Sequence, residues 1–363
     1  MTTVHDGEPG AVTTTASRPR PRRAHPLLVF LAKRLTITAG LLLGVTVVTF
    51  ALVNVVPGDP VTANLSDQAL NDPATVAAFR EKWGLDQPLW AQYFQYLGNL
   101  LTGDLGISQQ TGRSVLDDLV RYVPATMELA IPTMVLALLI GTGIGMLAAV
   151  RNGRFTDQLV RVGALLGLST PPFWLSLVVL YVFFYKLGLA PSGGRLSTAF
   201  SPPPTVTGMY TVDAALAGQW DVAWDAAQHL VLPVLVLTSL TVALLVRFVR
   251  SAMLEVLQQD YIRAAYAKGL PARVVLRRHL LRAGLVPVVT VSGLAFASLL
   301  SGTVLVESIF GWPGLGQYAY RSATALDLPS ILGVSLFVAL VYTLVNLTVD
   351  LLYGLIDPRI RLS

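Results

Sequence analysis

The residues that could bind phosphate or a metal ion are few in this chain. A nucleotide-binding loop needs the pattern G-x-x-x-x-G-K-[ST], in which backbone amides and the lysine hold the phosphates. No lysine of the chain follows a glycine; the lysines are Lys33, Lys82, Lys186 and Lys268. The histidines are not spaced as a ligand set; they are His5, His25, His229 and His279. The chain has no cysteine, which excludes disulfides and thiolate metal sites. We therefore predict a chain without catalytic or metal-binding residues, and any ATP hydrolysis must take place on a separate chain.

One segment does carry a pattern for contact chemistry, the basic stretch 247–283. Asp260 suits the N-terminus of a helix, because its charge interacts favourably with the helix dipole. The alanines that follow favour helix, and Gly269 suits the position just after a helix end. Pro271 then fits the first turn of a new helix. The sequence predicts a short helix, a sharp turn and a second helix that extends through Arg282.

The short helix has the composition of a surface that docks another protein. Its small alanines would allow a partner's backbone to approach closely, while Tyr261 and Tyr266 supply larger anchors and the arginines add charge complementarity. The alternative is an amphipathic helix that rests on anionic lipid. That alternative explains the arginines but not the Ala–Ala–Gly–Pro pattern, which favours docking to a protein.

The composition of the whole chain says where this segment must be positioned. Hydrophobic residues make up 53% of the chain, charged residues only 13%, and the mean hydropathy is +0.62. A soluble domain carries about 25% charged residues, so much of this surface must face lipid. A helix needs about 20 mostly apolar residues to cross a bilayer. Six stretches free of Asp, Glu, Lys and Arg qualify: 35–56, 129–150, 162–185, 226–246, 284–306 and 328–349. We predict an all-α, polytopic membrane protein with six transmembrane helices.

The distribution of basic residues orients these helices. Of the 26 Lys and Arg residues, 19 lie in the segments on one side of the predicted bundle. The positive-inside rule places that side in the cytoplasm, so both termini are predicted to be cytoplasmic. The net charge of +5 is thereby explained by topology, and no nucleic-acid partner is needed. We predict localisation in the cytoplasmic (inner) membrane as a multi-pass protein.

The predicted organisation is a polar, disordered cytoplasmic tail followed by one transmembrane domain. Prolines inside the predicted spans indicate either a bundle that bends around a path or ordinary kinks. The predicted external cap contains enough aromatic residues for a minor core. The predicted segments are the tail 1–27, the transmembrane domain 28–363, an external cap 57–127, an external loop 186–225, the cytoplasmic loop 247–283 and an external loop 307–327.

The predicted spans contain no Asp, Glu, Lys or Arg, which disfavours an ion-coupled carrier. Such a carrier remains an alternative, because backbone carbonyls at broken helices can coordinate sodium. The acidic residues nearest to the membrane are predicted to lie at span ends; they are Glu128, Glu307, Asp327 and Asp350.

The basic segment resembles the cytoplasmic motif of ABC importer permeases, in which two adjacent alanines are followed four residues later by glycine. Ala264, Ala265 and Gly269 match it. Arg263 departs from that motif where Glu is common, and Arg282 departs where Pro is common. The sequences at 267–270 and 277–279 resemble the peptide-permease branch, and so do those at 56–60, 84–88, 103–106, 123–129, 172–175 and 310–316. The resemblance extends from about 35 to 359 and is to the first of the two permeases of dipeptide/oligopeptide importers.

This resemblance implies a type I ABC importer permease fold with a small external cap. It implies a second homologous permease, two cytoplasmic ATPases that bind ATP and Mg²⁺, an extracytoplasmic substrate-binding protein, and no cofactor on this chain. Nickel or another small solute is an alternative cargo. The residues that the resemblance assigns to ATPase coupling are Asp260, Tyr261, Arg263, Ala264, Ala265, Lys268 and Gly269. Those assigned to contact with the binding protein are Phe310, Gly311, Trp312 and Pro313, although glycine and proline also suit a plain turn.

Overall fold

The structure is a computed structural model that describes residues 26–55 and 58–356, and the described part is helical without a named strand. The predicted tail up to residue 25, the 56–57 pair of the resemblance and the basic residues Arg359 and Arg361 lie outside the described residues. The first helices are α1 (Pro26–Val55), α2 (Pro60–Asn64), α3 (Asp67–Leu70), α4 (Pro73–Trp83), α5 (Leu89–Leu101), α6 (Val115–Val150), α7 (Phe155–Ser169) and α8 (Pro172–Val179), which a π-helical turn (Leu180–Lys186) extends. The remaining helices are α9 (Tyr210–Leu216), α10 (Trp220–Leu257), α11 (Asp260–Ala267), α12 (Ala272–Val274) with a π-helical turn (Val275–Leu280), α13 (Leu281–Gly302), α14 (Val304–Ile309), α15 (Leu315–Thr324) and α16 (Leu328–Ile356).

Three helices of the described part are long and apolar enough to cross a membrane, namely α6, α10 and the Leu328–Asp350 part of α16. Two further spans are bent pairs of helices, which raises the number to five. The first predicted span overlaps α1, in which the residues with described side chains include the apolar segment Thr36–Leu52. The polytopic all-α class is confirmed, while the count of six remains a prediction.

The third predicted span is sharply bent, and two consecutive prolines explain why. α7 and the α8 segment meet at an angle of 99°. Pro171 precedes α8 in extended conformation and Pro172 is its first residue. Proline lacks the amide hydrogen that helix continuation needs and disfavours helical dihedrals in the residue before it. A straight helix through this point is therefore excluded, and the two prolines cause the bend between α7 and α8.

Two helices extend well beyond the apolar stretches that identified them. α6 begins at Val115, because Ser114 caps it by accepting a hydrogen bond from the amide of Leu116 and acidic residues occupy the first turn. Residues 115–127 of the predicted cap are thus a continuation of this helix. α10 likewise begins at Trp220, within the predicted loop 186–225. Hydropathy marks the lipid-crossing part of a helix, whereas capping marks where it ends.

Helices α6 and α10 form the centre of the fold, and small residues let them pack closely. A Cβ atom at Gly141 would lie 2.9 Å from the Cβ of Leu245, and one at Gly145 would lie 2.7 Å from the Cβ of Val249. Larger residues at either glycine would push the two backbones apart. Leu129 of α6 and Val236 of α10 are fully buried in one hydrophobic cluster.

The minor aromatic core predicted for the external cap is not formed. Neither α4 nor α5 has a buried residue, and Trp90 and Phe94 are 68% and 64% exposed. Tyr93 instead reaches α1, where its ring meets Phe50 edge to face at 5.3 Å and its hydroxyl is 3.0 Å from that of Thr46. The cap is therefore a thin helical layer attached to α1. Its exposed aromatic rings suit the water–lipid boundary, where such amphipathic rings accumulate.

Candidate functional site: a docking helix and an external junction

The short helix predicted in the basic segment is present as α11, and its end is closed as the sequence indicated. Gly269 adopts a left-handed conformation with φ of +76°. Its amide donates to the carbonyl of Tyr266 at 2.9 Å, and the amide of Leu270 donates to that of Ala265 at 3.3 Å. This pair of bonds is a Schellman motif, which satisfies the last carbonyls of a helix. No atom lies within 4 Å of a Cβ built on Gly269, so dihedral preference alone selects glycine there.

One face of α11 packs against its own chain. Ile262 and Ala265 are buried, and both contact Val275 of the following π-helical turn. Val256 and Leu257, at the end of α10, complete the apolar cluster. The two alanines of the motif are thereby separated in role: Ala265 faces inward, so it packs within the chain rather than forming part of the exposed surface.

The other face of α11 is open. Tyr261 and Tyr266 are close to half exposed, and Ala264 is exposed beside Tyr261. Partial burial raises the pKa of the Tyr261 hydroxyl, so it stays a neutral hydrogen-bonding group. The remaining predicted coupling residues are also exposed: Asp260, Arg263, Lys268 and Gly269. A small residue beside an aromatic side chain is suited to a close-fitting protein contact.

The inner face of α11 connects it to two candidate spans at once. The predicted second helix is observed, but it does not end at Arg282; α12 and the π-helical turn continue into α13 up to Gly302. At that junction the fully buried Met253 of α10 packs with Leu280. A Cβ on Gly284 would collide with the sulfur of Met253, so helices α13 and α10 touch directly. A displacement of α11 must therefore move the ends of both α10 and α13.

The predicted contact for a substrate-binding protein is split by the structure. Phe310 and Trp312 are almost completely buried, at 2% and 1% exposure, whereas Gly311 and Pro313 are exposed. The indole nitrogen of Trp312 donates to the carbonyl of Ala125 on α6 at 2.8 Å. The two aromatic residues therefore hold this loop against α6, and only the glycine and the proline are available on its surface.

Sequence reasoning missed a buried ion pair on the same side of the protein. Glu128 of α6 accepts two hydrogen bonds from Arg195, the shorter at 2.6 Å. Its other carboxylate oxygen accepts from the backbone and the hydroxyl of Thr211, both at 2.7 Å. The Arg195 guanidinium also donates to the carbonyl of Gly208 and lies over the ring of Tyr210. Helix α6 continues on both sides of Glu128 and both charges are buried, while the position of Glu128 at the end of the lipid-crossing part stays a prediction.

Glu307 forms a second buried cluster beside this pair. It accepts hydrogen bonds from the hydroxyls of Thr126 at 2.8 Å and Thr303 at 2.7 Å, and from the amide of Gln317 at 2.8 Å. A Cβ on Gly314 would occupy the space of the carboxylate. In the sequence, this cluster is signalled by Gly314, which follows Glu307 by seven residues. We call Thr126, Glu128, Arg195, Glu307 and Trp312 the external junction.

Asp327 attaches the cap to α16 in a similar way. Its carboxylate accepts from Ser108 at 2.6 Å and from Ser330 at 2.8 Å. Each of these buried carboxylates accepts several hydrogen bonds, as buried polar groups in folded proteins do, and so ties distant segments together.

Comparison with known proteins adds two matches to family descriptions. "Binding-protein-dependent transport system inner membrane component" matches residues 141–362, and "Binding-prot-dependent transport system membrane comp, N-term" matches residues 27–130. The probable D,D-dipeptide transport system permease protein DdpB of Escherichia coli (strain K12) is 47% identical over 317 residues, covering 87% of this chain and 93% of that protein. The dipeptide transport system permease protein DppB of Alkalihalophilus pseudofirmus is 40% identical over 335 residues, covering 92% and 100%. Among solved structures, the inward-facing MetNI methionine ABC transporter aligns with 17% identity and a TM-score of 0.47, covering 67% of this chain and 97% of that one.

Proposed function

Because the chain belongs to the family of binding-protein-dependent transport system inner membrane components, we propose that it is a peptide-conducting permease subunit of an ATP-driven importer. The cargo is inferred from relatives that are named as dipeptide permeases at 40% to 47% identity over most of the chain. The chain forms half of the path across the membrane, and a second homologous permease forms the other half. An extracytoplasmic binding protein delivers the peptide, and two cytoplasmic ATPases bind ATP and Mg²⁺.

The observation that carries this proposal is the two-faced packing of α11. Its outer face, with Tyr261, Ala264 and Lys268, docks one ATPase. Its inner face transmits the movement of that ATPase through Ile262 to the ends of α10 and α13. Closure of the ATPase pair around ATP then shifts the equilibrium between inward-facing and outward-facing arrangements of the spans.

An ion pair supports the proposal that both termini are on the cytoplasmic side. Arg34, near the start of α1, pairs with Asp350, near the end of α16. The first and last described helices therefore run in opposite directions with those two ends together. A second ion pair joins Asp157, in the first turn of α7, to Arg250 near the end of α10. The end of α10 carries α11, so the loop before α7 and the docking helix share one side.

Replacement of Gly269 by valine tests the proposal. Valine at a positive φ costs about 1–3 kcal/mol and would open the end of α11 without any steric clash elsewhere. We expect the Gly269→Val chain to reach the membrane and to pair with the second permease. Co-purification of the ATPases and ATP-driven dipeptide uptake into proteoliposomes should both fall severely.

A matched control is Gly218→Val in the loop between α9 and α10. Gly218 also has a left-handed conformation, with φ of +70°, and open surroundings. It therefore carries the same backbone strain far from α11, and its uptake should stay near that of the wild type. Wild-type uptake by the Gly269→Val chain would reject ATPase coupling through α11. Uptake that proceeds without any ATPase would instead favour an ion-coupled carrier.

A further inference from the structure

A groove between α7 and α10 has no assigned role in peptide transport. Its volume is about 390 Å³, and its α7 wall presents Arg161 followed by Leu165 and Leu168. These residues are four and three positions apart, so they lie on one face of the helix. The α10 wall presents Arg247 and Arg250, which share a face in the same way.

The arginines of the groove are not equivalent. Arg250 is fully engaged, because it donates to both carboxylate oxygens of Asp157 at 2.5 and 2.8 Å and to the side chain of Asn152 at 3.0 Å. Arg161 and Arg247 are exposed and make no hydrogen bond or salt bridge within the part of the chain that the structure describes, although the charge of Arg161 is near enough to act on the Asp157 carboxylate. The Asp157–Arg250 pair fixes the two helices relative to each other. The groove is therefore a built feature, and its two remaining guanidinium groups are exposed with hydrogen-bond donors available to a further anionic group.

The order of polarity along the groove matches that of a phospholipid. α7 enters the membrane from the loop that contains Asn152, so Arg161 lies nearer to the membrane surface than Leu165 and Leu168. Both leucines are well exposed, at 59% and 41%. Charge at the entrance and apolar surface further along the helix correspond to a headgroup and its acyl chains. A docked protein segment would need hydrogen-bond acceptors for the arginines at the entrance. It would not need the apolar surface that continues along the lipid-facing part of α7.

We propose that this groove binds one anionic phospholipid, whose phosphate lies between Arg161 and Arg247 and whose acyl chain lies along Leu165 and Leu168. Guanidinium groups bind phosphate through paired, charge-assisted hydrogen bonds. Basic pockets between membrane helices on the cytoplasmic side are suited to anionic headgroups. The inference rests on the orientation proposed above, in which this end of α7 and α10 faces the cytoplasmic leaflet.

The test is lipid retention by the intact transporter complex, measured by native mass spectrometry after exchange into detergent with defined lipids. We expect the wild type to retain phosphatidylglycerol in preference to phosphatidylcholine. The Arg161→Gln/Arg247→Gln chain should lose that preference by roughly 30-fold. Each arginine near an anionic surface contributes about five-fold to the affinity, and the two factors multiply. The control Arg151→Gln/Arg154→Gln removes the same charge from exposed positions in the neighbouring loop, and it should retain the lipid as the wild type does.

Three outcomes would overturn the inference. One is equal retention of phosphatidylglycerol by the groove variant and the wild type. Another is displacement of the lipid signal by inorganic phosphate alone, which would indicate a free anion site. A third is loss of the second permease or an ATPase from the groove variant while its lipid retention is unchanged, which would indicate a protein interface. A complex that retains the lipid through Arg161 and Arg247 but imports no peptide would reject the proposed function and leave this inference intact.

Discussion

The docking helix and the external junction are attached to the same bundle by opposite kinds of contact. α11 is held through aliphatic packing of Ile262 and Ala265, and its described side chains form no buried polar bond to the spans. The external junction is held by buried, directional bonds such as Glu128–Arg195 and Thr126–Glu307. Apolar packing tolerates a shift of the packed element as a body, whereas charge-assisted hydrogen bonds require one geometry.

This difference divides the work of the permease between its two ends. The end that carries α11 can transmit a movement, because α11 packs against the end of α10 and the π-helical turn before α13 without a bond that must break. The opposite end fixes the positions of the loops around Arg195 and Trp312 on α6. Substitutions should therefore affect stability at one end and coupling at the other.

The largest effect is expected for Arg195→Ala in the external junction. It leaves the Glu128 carboxylate buried without its cation, and removal of one partner of a buried pair costs about 3–5 kcal/mol. The purified subunit should unfold at a markedly lower temperature in detergent. Arg321→Ala, which removes an exposed arginine from α15 on the same side, should change little.

A second substitution separates the lost pair from lost packing. Glu128→Gln combined with Arg195→Ala replaces the unpaired charge by a neutral amide, so part of the stability should return. Equal melting temperatures for Arg195→Ala and Arg321→Ala would show that the external junction is not the rigid end of the molecule.

A smaller and more local effect is expected for Ile262→Ala on the inner face of α11. Loss of a buried isoleucine side chain costs about 2–4 kcal/mol where the surroundings cannot collapse. Hydrogen exchange at the amides of α11 should accelerate, whereas exchange around Glu128 should not change. ATP hydrolysis by the docked ATPases should continue with less peptide uptake per ATP.

The control for Ile262→Ala is Leu270→Ala, which shortens a more exposed side chain just beyond the same helix. Its exchange rates should resemble those of the wild type. If Ile262→Ala instead accelerated exchange throughout the chain, the docking helix would be a cooperative part of the core rather than a body packed against it.

The smallest effect concerns Asp213, in the first turn of α9, whose carboxylate holds the loop before that helix beside the external junction. Its carboxylate accepts hydrogen bonds from Thr207 and from the amides of Val206 and Gly208. Burial alone would raise its pKa, but these hydrogen bonds outweigh burial and lower the pKa below the usual aspartate value. The stabilisation is therefore complete above the usual aspartate range and is lost as the pH falls through the lowered pKa.

Asp213→Asn should reduce stability by about 2 kcal/mol at neutral pH, the scale of a hydrogen bond to a charged group. The difference in melting temperature between Asp213→Asn and the wild type should shrink as the pH falls below about 4. The coupling of ATP hydrolysis to peptide uptake through α11 should not depend on Asp213 in this way. A difference that stays constant down to strong acid would show that the carboxylate charge is not what anchors this loop.

The sequence by itself was sufficient for features that depend on nearby residues. Apolar runs indicated the α6, α10 and α16 spans. The free energy of placing a helix in the membrane is a sum over the residues of that helix, so it can be read from one stretch of sequence. The closure of α11 at Gly269 was predictable because the left-handed conformation is a local preference of glycine. The four-residue spacing of Gly141 and Gly145 permits a close helix contact, but it does not show that the partner is α10.

Only the tertiary structure decided which side chains face inward and which distant residues pair. Nothing in the adjacent pair Ala264 and Ala265 shows which one is buried, since that depends on where Val275 lies. Glu128 and Arg195 are 67 positions apart, and Thr126 and Glu307 are 181 apart. The free energy of such a bond depends on the burial of both partners, and burial is a property of the packed chain rather than of either local sequence.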